Sequence, residues 1–207
     1  MRVIRRLAVA AAVALAACGP STTLVQVPPR LDLQPYGSIG LVTFSTNVRP
    51  SLAQRATDRF AEEVLRNQMG IEVLAIEPSG EVLALYEARG FGPDFARAVG
   101  REHGVAAVFV GELEVKGTRP GVSIASVRDM QVGATVEGTL AVKLLSTRSG
   151  GTVWQSSGSA TETVGQFNLA GGTPSVAVRN PDEAYDAALL RLVEATTVDL
   201  RPSWHRQ

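Results

Sequence analysis

Cysteine, histidine and aromatic residues are scarce in this chain. Its 207 residues include one cysteine, Cys18, and two histidines, His103 and His205. A single thiol excludes an internal disulfide framework and any cysteine-rich zinc site. Two histidines leave little material for metal or acid–base chemistry. Aromatics amount to 5%, so the core has to be built from Ala, Val, Leu and Ile. Neither sign of charge is in excess, the formal net charge being zero. That disfavours a nucleic-acid binder, since such proteins gather Lys and Arg. What is present is an ordinary globular balance, 45% apolar and 19% charged, which argues against a mostly disordered chain. The length suits one domain with accessories.

The amino terminus reads as an address. Arg2, Arg5 and Arg6 form a basic start, and an unbroken Leu/Ala/Val run follows from Leu7 to Ala17. That run is too short for a bilayer, which takes about 20 residues. Basic start, short apolar core and small residues before a boundary describe a secretory signal peptide over 1–17. Gly19 and Pro20 stop the run as a helix. The boundary itself, Leu15-Ala16-Ala17-Cys18, resembles the lipobox of bacterial lipoproteins. The resemblance implies cleavage before Cys18 and acylation of its thiol and amine. Two or three acyl chains anchor stably where one binds reversibly. Gly19, not Asp, follows the cysteine, which resembles the pattern sorted to the outer membrane. Removing 1–17 takes three arginines and no acid, leaving 190 residues and a net charge of −3. A chain of that length buries about 70% of its unfolded surface and folds without metal or disulfide.

Residues 18–37 are read as an acylated cysteine followed by a tether. Pro20, Pro28, Pro29 and Pro35 resist both helix and central strand. Extended, the stretch reaches roughly 60 Å, and as a relaxed coil about 25 Å. Thr23–Val27 is the part of it most suited to packing on the folded body.

From Ser38 the pattern predicts one α/β domain over 38–200, with a tail at 201–207. Ile39–Phe44 is a buried-type strand. A helix follows, capped at Ser51 with Gln54 in the capping-box position. Its stripe is Ala53, Ala56, Phe60 and Val64, and Gly70 ends it. Ile71–Ile76 is a second strand. Two shorter helices run from Ser79 to about Ala88 and from Pro93 to His103. Val105–Val115 is a third strand, so the first half has the β-α-β-α-α-β rhythm of a partly parallel sheet with covering helices. The second half alternates with period two. Val132 to Leu144 is a long strand with one wet face, Arg148–Gly151 a turn, and Thr152–Val164 its antiparallel partner. Gln166–Val178 reads as a loop. Asn180, Pro181 and Glu183 start a last helix, with a stripe of Tyr185, Leu189, Leu192, Val193, Thr196 and Leu200. The expected fold is α/β (α+β): a mixed sheet of about five strands with helices packed against it.

This order resembles the fold of the TolB amino-terminal domain, shared by the curli-secretion lipoprotein CsgG and the LpoB-type activators of penicillin-binding proteins. Ile39-Gly40-Leu41-Val42-Thr43-Phe44 resembles that group's opening strand, with Thr43 where the group often has Pro. Ser51–Gln68 resembles its next helix. Residues 98–111 resemble its block of helix, Gly-Ala-Asp, apolar strand and Gly, with Ala106-Ala107 in place of Ala-Asp. Trp154 stands where the group often has Trp.

Features that invite an enzymatic reading each have an ordinary one. Gly90-Phe91-Gly92 follows a helix, not a strand, and lacks a third glycine, so it reads as a helix–helix turn. Glu112 and Glu114 share a strand face and read as its solvated end. His103 ends a helix, where a cationic side chain suits the dipole. No Gly-x-Ser-x-Gly elbow appears. Asn47, Arg49 and Arg179 suit a polar pocket or ordinary loop chemistry alike.

The expectation is therefore a lipoprotein of the outer membrane, anchored through Cys18 and lying on the periplasmic face. It is expected to have no catalytic residue, no cofactor and no metal. Its domain is expected to bind a protein partner in envelope assembly, secretion or peptidoglycan synthesis, and no nucleic acid. Contact surfaces are expected on loops 116–131 and 165–180 and on the tail, with Arg119, Arg128, Phe167, Arg179 and Trp204 as the contact residues. A first alternative is a pore-forming secretion subunit like CsgG, from the hairpin 132–164. A second is a small-ligand or hydrolytic domain with its cleft near 165–180.

Overall fold

The computed structural model describes residues 23–126, 129–170, 173–178 and 180–206. For 117–126, 129–134, 165–170, 173–178 and Pro181 the description is of the backbone. The elements in chain order are β1 (Leu24–Val27), a 3-10 turn (Gln34–Tyr36), β2 (Ser38–Val42), β3 (Ser45–Thr46), α1 (Pro50–Asn67), β4 (Glu72–Ile76), α2 (Gly80–Arg89), α3 (Pro93–His103), β5 (Ala107–Ser126), β6 (Asp129–Ser146), β7 (Thr152–Ala170), β8 (Thr173–Val178), α4 (Pro181–Thr196), a second 3-10 turn (Val198–Leu200) and β9 (Ser203–Arg206). The described residues form two compact units, one of residues 29–201 and one that joins 23–28 with 202–206.

The body is a mixed sheet in the order β4-β2-β5-β6-β7-β8, with β3 beside β5. β2 runs parallel to β4 and β5, whereas β5, β6, β7 and β8 form an antiparallel meander. The α/β class and mixed sheet are as expected, and the strands exceed the expected five. β5 and β6 extend to 20 and 18 residues. The expected loops 116–131 and 165–180 are thereby corrected: their described residues are mostly strand, and β7 continues to Ala170. Each of these segments mixes Gly, Pro, Ser and polar residues with alternate apolar ones, and cross-strand pairing overrides that composition.

Among the described residues, the sheet is buried on both faces at its parallel end. On one face α1 and α4 enclose Ile39, Leu41, Phe44, Ala107, Phe109, Leu113, Leu140 and Leu144, meeting them with Leu52, Ala56, Phe60, Val64, Leu189 and Leu192. On the other, α2 and α3 cover Val42, Ile76, Val108, Val110 and Leu145 with Val82, Phe95, Ala96 and Val99. Phe109 and Val110 thus belong to different cores, as period two requires. Past Gly111, Glu112, Glu114 and Lys116 on the second face are exposed. Phe44, Phe60, Phe109 and Trp154 stack edge to face through the first core, at 5.4, 5.1 and 6.1 Å between ring centroids. Such pairs add about 0.5–1.5 kcal/mol each beyond their buried area. Gly111 lets the first ring in: a Cβ there would lie 2.7 Å from Phe44 Cδ1.

Local starts and stops follow the sequence with three corrections, the first being that α1 ends at Asn67 with an extended Gln68 as its cap, so Gly70 does not terminate it. Asn180 caps α4, its side chain accepting from the Asp182 N–H at 3.1 Å. α1, however, begins at Pro50, not behind a Ser51 cap, because proline's fixed φ suits the first helical position. The last helix stops at Thr196, and Thr197 turns it into the short 3-10 segment ending at Leu200. Thr196 and Thr197 both donate their hydroxyls to the Val193 carbonyl, which competes with helical continuation there.

The smaller unit is a two-stranded ribbon. β1 and β9 pair antiparallel, with Leu24 opposite Arg206 and Gln26 opposite Trp204. All eight of its residues are exposed, Trp204 at 62%.

Candidate functional site

The long meander carries the first candidate surface. Beyond the part covered by α4, the register aligns four strands without interruption. Val122, Val132, Phe167 and Val176 fall in one row, and Ile124, Met130, Leu169 and Pro174 in another two residues along. Pro120, Ala134, Gly165 and Val178 form the row before them. Rows two residues apart share a face of a sheet. That face therefore holds apolar residues and one glycine. The intervening rows hold Gly121, Gly133, Gln166 and Ala177, then Ser123, Gln131, Asn168 and Ser175. One face of this outer sheet is apolar and the other mostly polar, a pattern that no single segment shows. Among the described residues both edges of the outer sheet are open. β8 pairs only with β7, and β5 beyond Leu113 pairs only with β6.

The expected contact residues are distributed unevenly over this scaffold. Arg119 lies in β5 opposite Thr135, and Phe167 in β7 opposite Val132 and Val176. They share the outer sheet but on opposite faces, Arg119 with the polar rows and Phe167 with the apolar ones. Trp204 belongs to the separate ribbon. Cys18, Arg128 and Arg179 lie outside the described residues. Asn47 acts as a strand mimic, accepting from the Val115 N–H at 2.9 Å and donating to the Val115 carbonyl at 3.1 Å. Arg49 pairs with Asp182 at 3.0 Å and lies over the Tyr185 ring, which ties α1 to α4. Gly90 takes φ +67° in the tight turn between α2 and α3.

A second candidate went unread in the sequence. A cleft of about 490 Å³ is lined by Pro35, Tyr36, Arg97, Gly100, Arg101, Ala106, Ser146, Thr147 and Arg148. It lies at the helix-covered end of the sheet, away from the segment 165–180. Arg97 and Arg101 are one turn apart on α3 and so share a face. Arg148 comes from the turn joining β6 and β7, 47 positions beyond Arg101, and no local pattern links them. Among the described residues no three of His, Cys, Asp or Glu gather as a metal site. No described helix is long and apolar enough to cross a membrane.

No protein-family model and no curated protein matches the chain in sequence. Solved structures do resemble its fold. The PelC dodecamer from Paraburkholderia phytofirmans aligns over 87% of this chain and 97% of its own, at 14% identity and a TM-score of 0.45. Lipoprotein GNA1162 from Neisseria meningitidis aligns over 61% and 83%, at 19% identity and 0.34. The LpoB C-terminal domain from Salmonella enterica aligns over 65% and 84%, at 16% identity and 0.35.

Proposed function

We propose that this chain is a non-enzymatic lipoprotein, held on the periplasmic face of the outer membrane by acyl chains on Cys18. Its folded body binds a protein partner in envelope assembly, secretion or peptidoglycan synthesis. The observation that carries the reading is Leu15-Ala16-Ala17-Cys18: the sole cysteine stands at the one lipobox position, behind a basic and apolar leader. The outer sheet supports the partner-binding half. An apolar face of three rows set against a mostly polar one marks an interaction surface on a soluble body, and Phe167 lies in its middle row. Palmitate labelling of the full-length chain, lost in Cys18→Ser, tests the anchor. An unlabelled wild type ends the lipoprotein reading. Crosslinking from a detergent extract, compared between wild type and Phe167→Asp, tests the surface. The same set of crosslinked proteins in both would remove the outer sheet from the proposal.

A second reading, a pore-forming secretion subunit, has one observation in its favour. The outer sheet is amphipathic with period two and open at both edges, so copies of the chain have strand edges with which to pair. One measure weighs against it. From Pro120 to Ile124 the apolar rows cover about 14 Å of strand, roughly half of a hydrocarbon core of about 30 Å. Ring-shaped particles in detergent that disappear with Val176→Pro, a substitution on the β8 edge, would favour it. A monomer at all concentrations would exclude it.

A further inference from the structure

We infer that the cleft between α3 and the β6–β7 turn is a binding site for a phosphate group, borne by a sugar phosphate or by a lipid headgroup. The inference is independent of the lipid anchor and of the outer sheet. Three guanidinium-bearing residues, Arg97, Arg101 and Arg148, line the cleft, and its lining contains no acid. Two of them are partly compensated from outside. Arg97 pairs with Asp94 at 3.0 Å and Arg101 with Glu81 at 2.7 Å, both acids being more than half exposed. Asp94 is shared with Arg89 at 3.2 Å. Arg148 is exposed, and no ion pair involves it among the described residues. Like charges held together repel, and a fixed anion between them relieves that repulsion. Guanidinium groups give phosphate oxygens paired, charge-assisted hydrogen bonds.

The frame that holds these groups is rigid, which lowers the cost of binding. Gly100 touches the turn so closely that a Cβ would lie 2.5 Å from Thr147 Cβ. Gly150, at φ +75°, sits against Pro93, where a Cβ would lie 2.7 Å from the ring. Thr147 donates its hydroxyl to the Val105 and Ala106 carbonyls at 2.7 and 2.8 Å. Arg97 donates to the Ser149 carbonyl at 2.8 Å. Arg148 is therefore carried on a turn locked to the helix that carries its two companions. Pro35 and Tyr36 form the remaining wall, an apolar surface for whatever bears the phosphate.

The test uses the full-length chain in non-ionic detergent micelles, titrated with glucose 1-phosphate and, separately, with phosphatidic acid doped into the micelles. The expected result is saturable binding of at least one probe with a dissociation constant of about 1 mM or tighter. Arg148→Gln and Arg97→Gln are each expected to weaken it about tenfold, and Lys116→Gln, midway along β5 and outside the cleft lining, to leave it unchanged. Arg148 is exposed on its turn, so its variant keeps the fold, and an unchanged melting temperature verifies this. Tighter binding of glucose 1-phosphate assigns a soluble ligand, and tighter binding of phosphatidic acid a headgroup. Saturable binding of neither probe overturns the inference, as does binding that both arginine variants retain in full.

Discussion

Gln68 donates its side-chain amide to the Leu200 carbonyl at 2.8 Å, across 132 positions of sequence. The same nitrogen donates to the Leu31 carbonyl at 2.9 Å, and its oxygen accepts from the Leu33 N–H at 2.9 Å. A residue that is 4% exposed thus closes the body, joining the strand-free stretch before β2 to the turn after α4. Leu33 and Leu200, both buried in the first core, are held where this amide places them. Gln68→Ala leaves an N–H and two carbonyls without this partner and is expected to cost about 2–4 kcal/mol. Gln68→Glu is expected to cost more, since it turns an acceptor toward two carbonyls. Urea denaturation checks both; a loss of under about 0.5 kcal/mol for Gln68→Ala would show that the clasp contributes little.

Phe60 has a ring neighbour on each side, Phe44 and Phe109, and is wholly buried. Phe60→Ala is expected to lower stability by about 3–5 kcal/mol. Because Phe109 in turn meets Trp154, the near-ultraviolet circular dichroism of Trp154 should change as well. Phe60→Leu, which refills most of the volume, should cost much less.

Two glycines near α3 are expected to respond unequally to alanine. Gly92 has open space where its Cβ would lie and φ −106°, so Gly92→Ala should cost only the difference between the two residues at a helix N-cap, about 0.5–1 kcal/mol. Gly150 combines φ +75° with backbone and ring atoms of Pro93 within 2.8 Å of a Cβ. Gly150→Ala should cost about 2 kcal/mol or more. Equal melting temperatures for the two variants would contradict this placement of the β6–β7 turn.

Arg191 reaches from α4 to Glu162 of β7, Nε to Oε1 at 2.9 Å, and the carboxylate side chain is 8% exposed. Removing the cation leaves a buried anion with less compensation. Because Arg191 itself is mostly exposed, Arg191→Ala is expected to cost about 1–2 kcal/mol, toward the low end at high salt. A double-mutant cycle with Glu162→Gln should return a coupling of about 1 kcal/mol; a coupling near zero would mean the pair is incidental.

Much of the fold was legible because helices announce themselves locally. The spacing of Ala53, Ala56, Phe60 and Val64 marked the buried face of α1, and Asn180 with Pro181 marked the start of α4. The alternation of 132–144 likewise exposed one wet strand face. The segments 116–131 and 165–180 read as loops because each holds few apolar residues among Gly, Pro, Ser and Arg. Their apolar character becomes visible only when Val122, Val132, Phe167 and Val176 stand side by side. The cleft was illegible for the same reason, Arg97 and Arg148 being brought together by Gly100 and Gly150 and by no motif.

The sequence by itself determined the reading of the leader and Cys18, the positions of the helices, and the poverty of catalytic side chains, because each is a property of neighbouring residues. The tertiary structure alone decided where the strands pair, which residues form the apolar face of the outer sheet, and that three arginines share one cleft. Those depend on register and close backbone approach between segments far apart in the chain, which short-range spacing does not encode.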